Sequence, residues 1–581
     1  MGGYKMKKKL LSVLLAGTMV LSLAACGGSS SSDSSSTSSS TSTSDSSTSS
    51  SSSSDASSES TGGNSSSELV DGKFAETRKI TVEVYDRGID GGSDVTNNMY
   101  TEYIKQGMLE DHNVEVEFVS VPRWTEVEQI NNLLAAGSAP DICVTYDYAT
   151  IQTYANMGGV LDLSQYVDAY SDDLPNLWNW LGDTNIYWDK DPETGTIWAL
   201  EAKLAVTNRV NTFVRKDWLD KLGLDAPTTK QEFEDMLIAF RDNAELLLGA
   251  DADKMIPYSV SYDVGWRAAT LIESFLDPDM SDKEYYVNGY DDRKATQNGT
   301  KEAIRLLNKW YNEGLMWNDF ALYGSGDTTE DDMMKAGYVG AFSHNWDYPF
   351  RNSEDSINAS LQRIVGEDAA FIAVDCFEDS KGTHTKFVSG PIDRKLFFPS
   401  TNDEPLASLL YLDWISDPEH LEYLQIGDEG VTHNVLEDGA IETIAATGDA
   451  IMNSGMNIDY TLTCNGLHLQ DEEITELSRA HNYANNDPDI VAEADEIAQT
   501  DNRQGKNVNV GTIESEEGMS TLLSEKRDIL YDQSVICSEA DFDSTWDSYL
   551  QDYLDAGGQA IIDERTAKWE ATFGDSDMLP E

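Results

Sequence analysis

The sequence predicts an α/β protein with a folded body of at least two lobes. Two observations lead there. The body opens as strand, helix, strand: "KITVEVYD" (Lys79 to Asp86) alternates Ile80, Val82 and Val84, and "VEVEFVSV" (Val114 to Val121) alternates Val114, Val116 and Phe118. About 30 residues separate the two runs, with a helical stretch near Met99 to Leu109, which is the spacing of a βαβ unit in a parallel sheet. The second observation is length. The chain has 581 residues, and the part able to fold, about 500 residues, exceeds what one hydrophobic core holds.

The elements follow in order. Val127, Ile130 and Leu134 share a helical face within Glu126 to Ala136, and Gly137 can end that helix. "PDICVTYD" then returns to a strand. Thr229 with Glu232 makes a capping box ahead of Phe233, Met236, Leu237 and Phe240. Ile304, Leu307 and Tyr311 mark a helix that Gly314 stops. Asp417 and Pro418 supply an N-cap and first helical residue before Leu421 and Leu424. Trp546, Tyr549, Leu550 and Tyr553 share a face before Gly557. Short strands near Val339–Phe342 and Leu396–Phe398 interrupt the helices.

The N-terminus reads as an address rather than a domain. Lys5, Lys7, Lys8 and Lys9 precede an uncharged apolar run from Leu10 to Ala25, too short to span a bilayer. Leu23-Ala24-Ala25-Cys26 resembles a bacterial lipobox, which implies cleavage before Cys26 and lipidation of its thiol. Two acyl chains hold a protein stably where one does not. Residues 1–25 are thus expected to be a lipoprotein signal peptide, and 26–75 a Ser-rich tether. The tract Ser29 to Ser67, almost all Ser, Thr, Asp and Gly, cannot bury enough surface to order itself. The expected location is the outer face of the cell membrane.

Net charge is −64, from 40 basic and 104 acidic residues. Such a surface argues against nucleic acid as a partner, since phosphates need basic patches. Cys143, Cys376, Cys464 and Cys537 are widely spaced with no CxxC pair, and their pairing stays open. HExxH, GxSxG, P-loop and GxGxxG motifs are absent, and the seven histidines lack metal-ligand spacing. No catalytic residue, metal or cofactor is predicted. Carboxylate pairs are too numerous to inform.

Aromatic residues beside short polar ones are more telling. Tyr146-Asp147-Tyr148 follows the strand "DICV", Trp266-Arg267 follows "PYSVSYDVG", and His344-Asn345-Trp346-Asp347-Tyr348 follows "YVGAF". In open α/β sheets, ligands bind beyond the carboxyl ends of strands. Flat rings with neighbouring Asp, Asn and Arg suit a carbohydrate. The expected contacts are Trp124, Tyr146, Asp147, Trp266, Arg267, Trp346 and Asp347, with Trp188 and Trp198 as weaker choices. Arg123, Lys203, Arg209 and Arg267 keep a uronate possible.

Ordered stretches along the body resemble the family 1 extracellular solute-binding proteins of bacterial ABC importers, in their large lipoprotein branch. They are "NNLLAAGSAPDICV" (Asn131 to Val144), "GGVLDLSQYVD" (Gly158 to Asp168), "FVRKDWLDKLGLDAPTTKQEFEDML" (Phe213 to Leu237), "AGYVGAF" (Ala336 to Phe342) and "LASLLYLDWISDPEHLEYLQIGDEG" (Leu406 to Gly430). The resemblance implies a two-lobed, periplasmic-binding-protein-like fold of type II, with lobes discontinuous in sequence and joined by a hinge. One lobe is expected from 76–206 plus about 390–460, the other from 207–389 plus about 461–581. It further implies a monomer that closes on a carbohydrate, mostly an oligosaccharide, and hands it to importer permease subunits. Some relatives carry a calcium loop where this chain reads "LLGADADKMIPYS"; Asp251 and Asp253 remain but the turn glycine and final acid are missing, so no metal is expected. The alternatives are a surface glycoside hydrolase using paired carboxylates, and a peptide-binding or adhesin lipoprotein.

Overall fold

A computed structural model describes residues 68–579, apart from 90–91, 192–193, 206–209, 291–293, 325, 389–391, 507 and 509. The expected signal peptide, Cys26 and most of the tether lie outside the described residues. No helix among the described residues is long and apolar enough to cross a membrane.

The protein is a mixed α/β structure organised by two sheets. In chain order their strands are β1 (Arg78–Asp86), β2 (Val114–Pro122), β3 (Cys143–Thr145), β4 (Leu200–Leu204), β5 (Val210–Arg215), β6 (Ile256–Ser259), β7 (Val339–Asn345), β8 (Phe371–Val374), β9 (Ile392–Phe397) and β10 (Cys464–Asn465).

The first sheet runs β2-β1-β3-β9-β4-β10. β1 and β2 pair in parallel from Arg78↔Val114 to Asp86↔Pro122. β3 joins β1 through a parallel bridge, Val82↔Ile142, with Glu83 N donating to Ile142 O at 3.0 Å. β9 lies antiparallel to β3 and β4. The alternation read in β2 holds: Val114 and Val116 are buried while Glu115 and Glu117 are exposed. The helix Met99–His112 closes this βαβ unit. Asn98 and Thr101 form its capping box, and Tyr100, Ile104 and Met108 fall on one buried face at a helical repeat. They join Ile80, Val82, Val84, Leu409 and Tyr460 in the core of the first lobe.

The second sheet runs β8-β5-β7-β6, with β6 and β7 parallel and β5 antiparallel to both its neighbours. The helices Lys230–Asp242 and Thr300–Asn312 cover it. Phe233 packs edge-on against Tyr258, with ring centroids 5.3 Å apart, and lies 5.6 Å from Trp310. Buried Asn308 donates to the carbonyls of Ser534, Val535 and Cys537 at 2.7–3.0 Å. That caps the C-terminal end of the helix Ser520–Ile536 and ties the chain's last third to this lobe.

Strand order makes the lobes discontinuous, and the chain passes between them three times. The sequence reading returns the chain to the second lobe at about 461; in the structure it is still in the first lobe there. β10 pairs with β4, and Leu462 sits in the first core. The reason is Arg394, which is fully buried and needs acceptors. Its guanidinium donates to the carbonyls of Leu462, Thr461 and Cys464 at 3.0, 3.0 and 2.6 Å. The chain still touches the first lobe at His481, whose carbonyl accepts from Thr443 N, and reaches the second core at Tyr483.

Candidate ligand-binding site

Parallel pairing brings the carboxyl ends of β1, β2 and β3 to one edge of the first lobe. Beyond them lie Arg87, then Arg123 and Trp124 in the turn Arg123–Thr125, then Tyr146 and Asp147. Arg123 is the hub. Its guanidinium carbon lies 4.4 Å from the Tyr146 ring centroid, 5.1 Å from Tyr85 and 5.5 Å from Trp124. Glu126 holds it in place at 2.8 Å. The other Glu126 oxygen accepts from Tyr146 N at 3.1 Å and the Thr145 hydroxyl at 3.2 Å. Beneath, Glu83 accepts from Val144 N, and burial pushes its carboxyl well above the usual range. Arg87 grips Asp459 with two bonds, at 2.7 and 2.8 Å.

Trp124 is 55% exposed. Its indole looks toward the second lobe: a β-carbon added to Gly326 would meet it at 4.0 Å.

The parallel ends of β6 and β7 form a matching edge on the second lobe. Past β6 the chain turns through Tyr262 and Asp263, both left-handed at φ 35° and 38°, a conformation that costs a non-glycine residue energy and recurs at binding sites. Asp263 caps the short helix carrying Trp266 and accepts from its N–H at 3.2 Å. Trp266 stands edge-on to His344 at 4.9 Å, and Tyr348 stacks on the other side at 3.4 Å. His344 Nδ1 accepts from Asn345 N at 2.8 Å. The ring proton therefore sits on Nε2 and points at the Tyr262 hydroxyl, 3.4 Å away. Burial, with Arg267 and Arg351 nearby, pushes this imidazole well below its ordinary range, so it stays neutral. Trp346 packs edge-on to Tyr483 at 5.8 Å.

The residues expected from sequence fare differently. Trp124, Tyr146, Asp147, Trp266 and Trp346 lie at the two strand edges and keep some exposure. Trp198 is half-buried against the small core around Ile151 and Phe397. The Trp188 side chain lies outside the described residues. Arg267 and Asp347 are corrected. Arg267 is fully buried, paired with Glu330 and bonded to the carbonyls of Ser261 and Ser343. Asp347 is 5% exposed and is taken up by Arg351, at 2.6 and 2.9 Å, and by the Tyr483 hydroxyl at 2.8 Å. Both are braces under the aromatic surface. The sequence reading notes His344 and Tyr348 beside Trp346 without choosing them as contacts, and it does not single out Tyr262. Asp251, in the segment "LLGADADKMIPYS", is ion-paired to Lys254 at 2.9 Å.

The chain belongs to the bacterial extracellular solute-binding proteins, whose family model matches residues 102–425. A curated relative, the polygalacturonan/rhamnogalacturonan-binding protein YtcQ of Bacillus subtilis, is 23% identical over 354 residues, 56% of this chain; the match spans 62% of that relative's length. Among solved structures, the alginate-binding protein AlgQ2 without calcium ion superposes with a TM-score of 0.61, at 15% identity, covering 85% of this chain and 98% of that one. The S. pneumoniae substrate-binding protein FusA in complex with kestose gives 0.60 at 14% identity, covering 86% and 100%. These neighbours have two lobes and share this fold. Membership of that family makes this chain a solute-binding protein.

Proposed function

We propose that this protein is anchored by lipid at Cys26 on the outer face of the cell membrane, captures a carbohydrate between its lobes, and delivers it to the permease of an ABC importer as a monomer. The observation that carries the reading is the pair of aromatic edges. Trp124 and Tyr146 on one lobe, and Trp266 and Trp346 on the other, offer flat apolar faces that stack on pyranose or furanose rings. Neighbouring Asp147, Asp263 and Tyr262 are placed to bond hydroxyls. Spanning both edges favours several sugar units over one. The relatives named above for polysaccharides and for kestose support the same class of guest.

Thermal shift against a glycan panel tests the reading. A cognate sugar stabilises the folded state by mass action and is recovered intact. Trp266→Ala and Trp346→Ala are each expected to weaken binding by about 1 kcal/mol or more; unchanged affinity in both removes the site. A peptide that stabilises the protein where sugars do not would replace the reading. Cys26→Ser is expected to move the protein from the membrane fraction to the medium.

A further inference from the structure

We infer that the guest is an uncharged oligosaccharide and not a uronate; this rests on the carbohydrate reading above and names the class within it. The ground is the state of the cations. A sugar carboxylate leaving water needs a cation able to turn toward it, best an arginine offering two parallel N–H donors. Among the described residues, the arginines at the two strand edges are each engaged by a carboxylate: Arg87 by Asp459, Arg123 by Glu126, Arg267 by Glu330 and Arg351 by Asp347. Three of these pairs, those of Arg87, Arg267 and Arg351, are two-pronged.

Arg123 is further locked by three aromatic rings. Lys203, the other cation raised from sequence, lies over the Trp180 indole at 4.7 Å, and Arg209 falls outside the described residues. A uronate would have to displace a protein carboxylate or crowd beside one. Asp147, Asp263 and Asp331 add acid to the same edges. An uncharged sugar meets none of these obstacles. Two of the proteins compared above are named for polyuronates, so this would be a point of divergence from them.

The test is isothermal titration of the full mature protein with neutral gluco-, manno-, xylo-, galacto- and fructo-oligosaccharides, and with oligogalacturonates and their carboxyl-reduced counterparts, at low and high salt. The expected result is binding of a neutral member, with affinity changing less than about twofold across the salt range, and oligogalacturonates at least about tenfold weaker than their reduced forms. Tighter, salt-sensitive binding of oligogalacturonate overturns the inference while leaving the carbohydrate reading standing. Binding of no glycan of either kind removes both. Glu126→Gln provides a second arm, because it removes the carboxylate paired with Arg123 yet keeps an acceptor for Tyr146 N. It is expected to raise oligogalacturonate affinity by about tenfold; no rise overturns the role given to the ion pair.

Discussion

Arg267 and Glu330, 63 residues apart in sequence, form a two-pronged ion pair with bonds of 2.8 and 2.9 Å inside the second lobe. The Ser259 hydroxyl and Ser261 N also donate to Glu330, so the pair knits the end of β6 to the helix Thr329–Lys335. Glu330→Ala strands a buried guanidinium. Loss of one partner from such a pair costs about 3–5 kcal/mol. Thermal denaturation without sugar should show a large fall in Tm; a residue serving only as a ligand contact would leave Tm in place and lower affinity alone.

Trp124 makes the opposite case. With more than half its surface in solvent, it contributes little to folding. Trp124→Ala should change stability by no more than about 0.5 kcal/mol and weaken sugar binding by about 1 kcal/mol or more. Denaturant titration and calorimetry on one preparation separate the two effects.

Acidification should stabilise the protein before it harms it. Burial pushes the Asp413 carboxyl up to about 6, although Leu177 N and Asn176 donate to it, and pushes Asp532 up to about 7 with Asp528 and Asp263 adding repulsion. Burial also raises Asp189 and Glu201, which face each other. In the unfolded chain such groups titrate at about 4. Between those values the folded state holds more protons, so stability is fully present below the unfolded value and declines as pH climbs through the folded one. Groups held low, such as Asp94 by Thr96 and Asp543 by Arg305, lose their contribution only in stronger acid. Tm should therefore rise from about pH 8 to about pH 5 and fall below about pH 4. Asp413→Asn, which keeps an acceptor for Leu177 N, should flatten part of that rise.

Gly340, in β7, lies under the helix Lys230–Asp242. A β-carbon there would meet Phe240 at 2.6 Å, Trp218 at 2.8 Å and the Pro257 carbonyl at 3.0 Å. Gly340→Ala should cost about 1–3 kcal/mol through overpacking. A lower urea midpoint at unchanged slope would register it.

Much of this architecture was legible where local pattern and tertiary packing agree. Alternation gave β1 and β2, Gly137 ends its helix at φ 66°, and Asp417 caps through the N–H groups of Glu419 and His420. Agreement was partial at Thr229, which accepts from Glu232 N while the Glu232 carboxylate turns to Thr228. The candidate site was harder to read. Its aromatics announce themselves by type and place after strands, but the partners that retire Arg267 and Asp347 are mostly remote. Arg351, four residues beyond Asp347, was the one local signal available. Nothing in the residue type of Tyr262 favours its left-handed backbone. β10 has only two residues, too few to display a period, so its return to the first lobe came from the acceptors Arg394 requires.

The threefold passage of the chain between lobes has a consequence for how such a protein can change over generations. No uninterrupted stretch of coding sequence corresponds to either half, so a single recombination cannot graft one half from a cousin with different tastes. New preferences must arrive by substitution at the rims, one codon at a time, while both halves descend together.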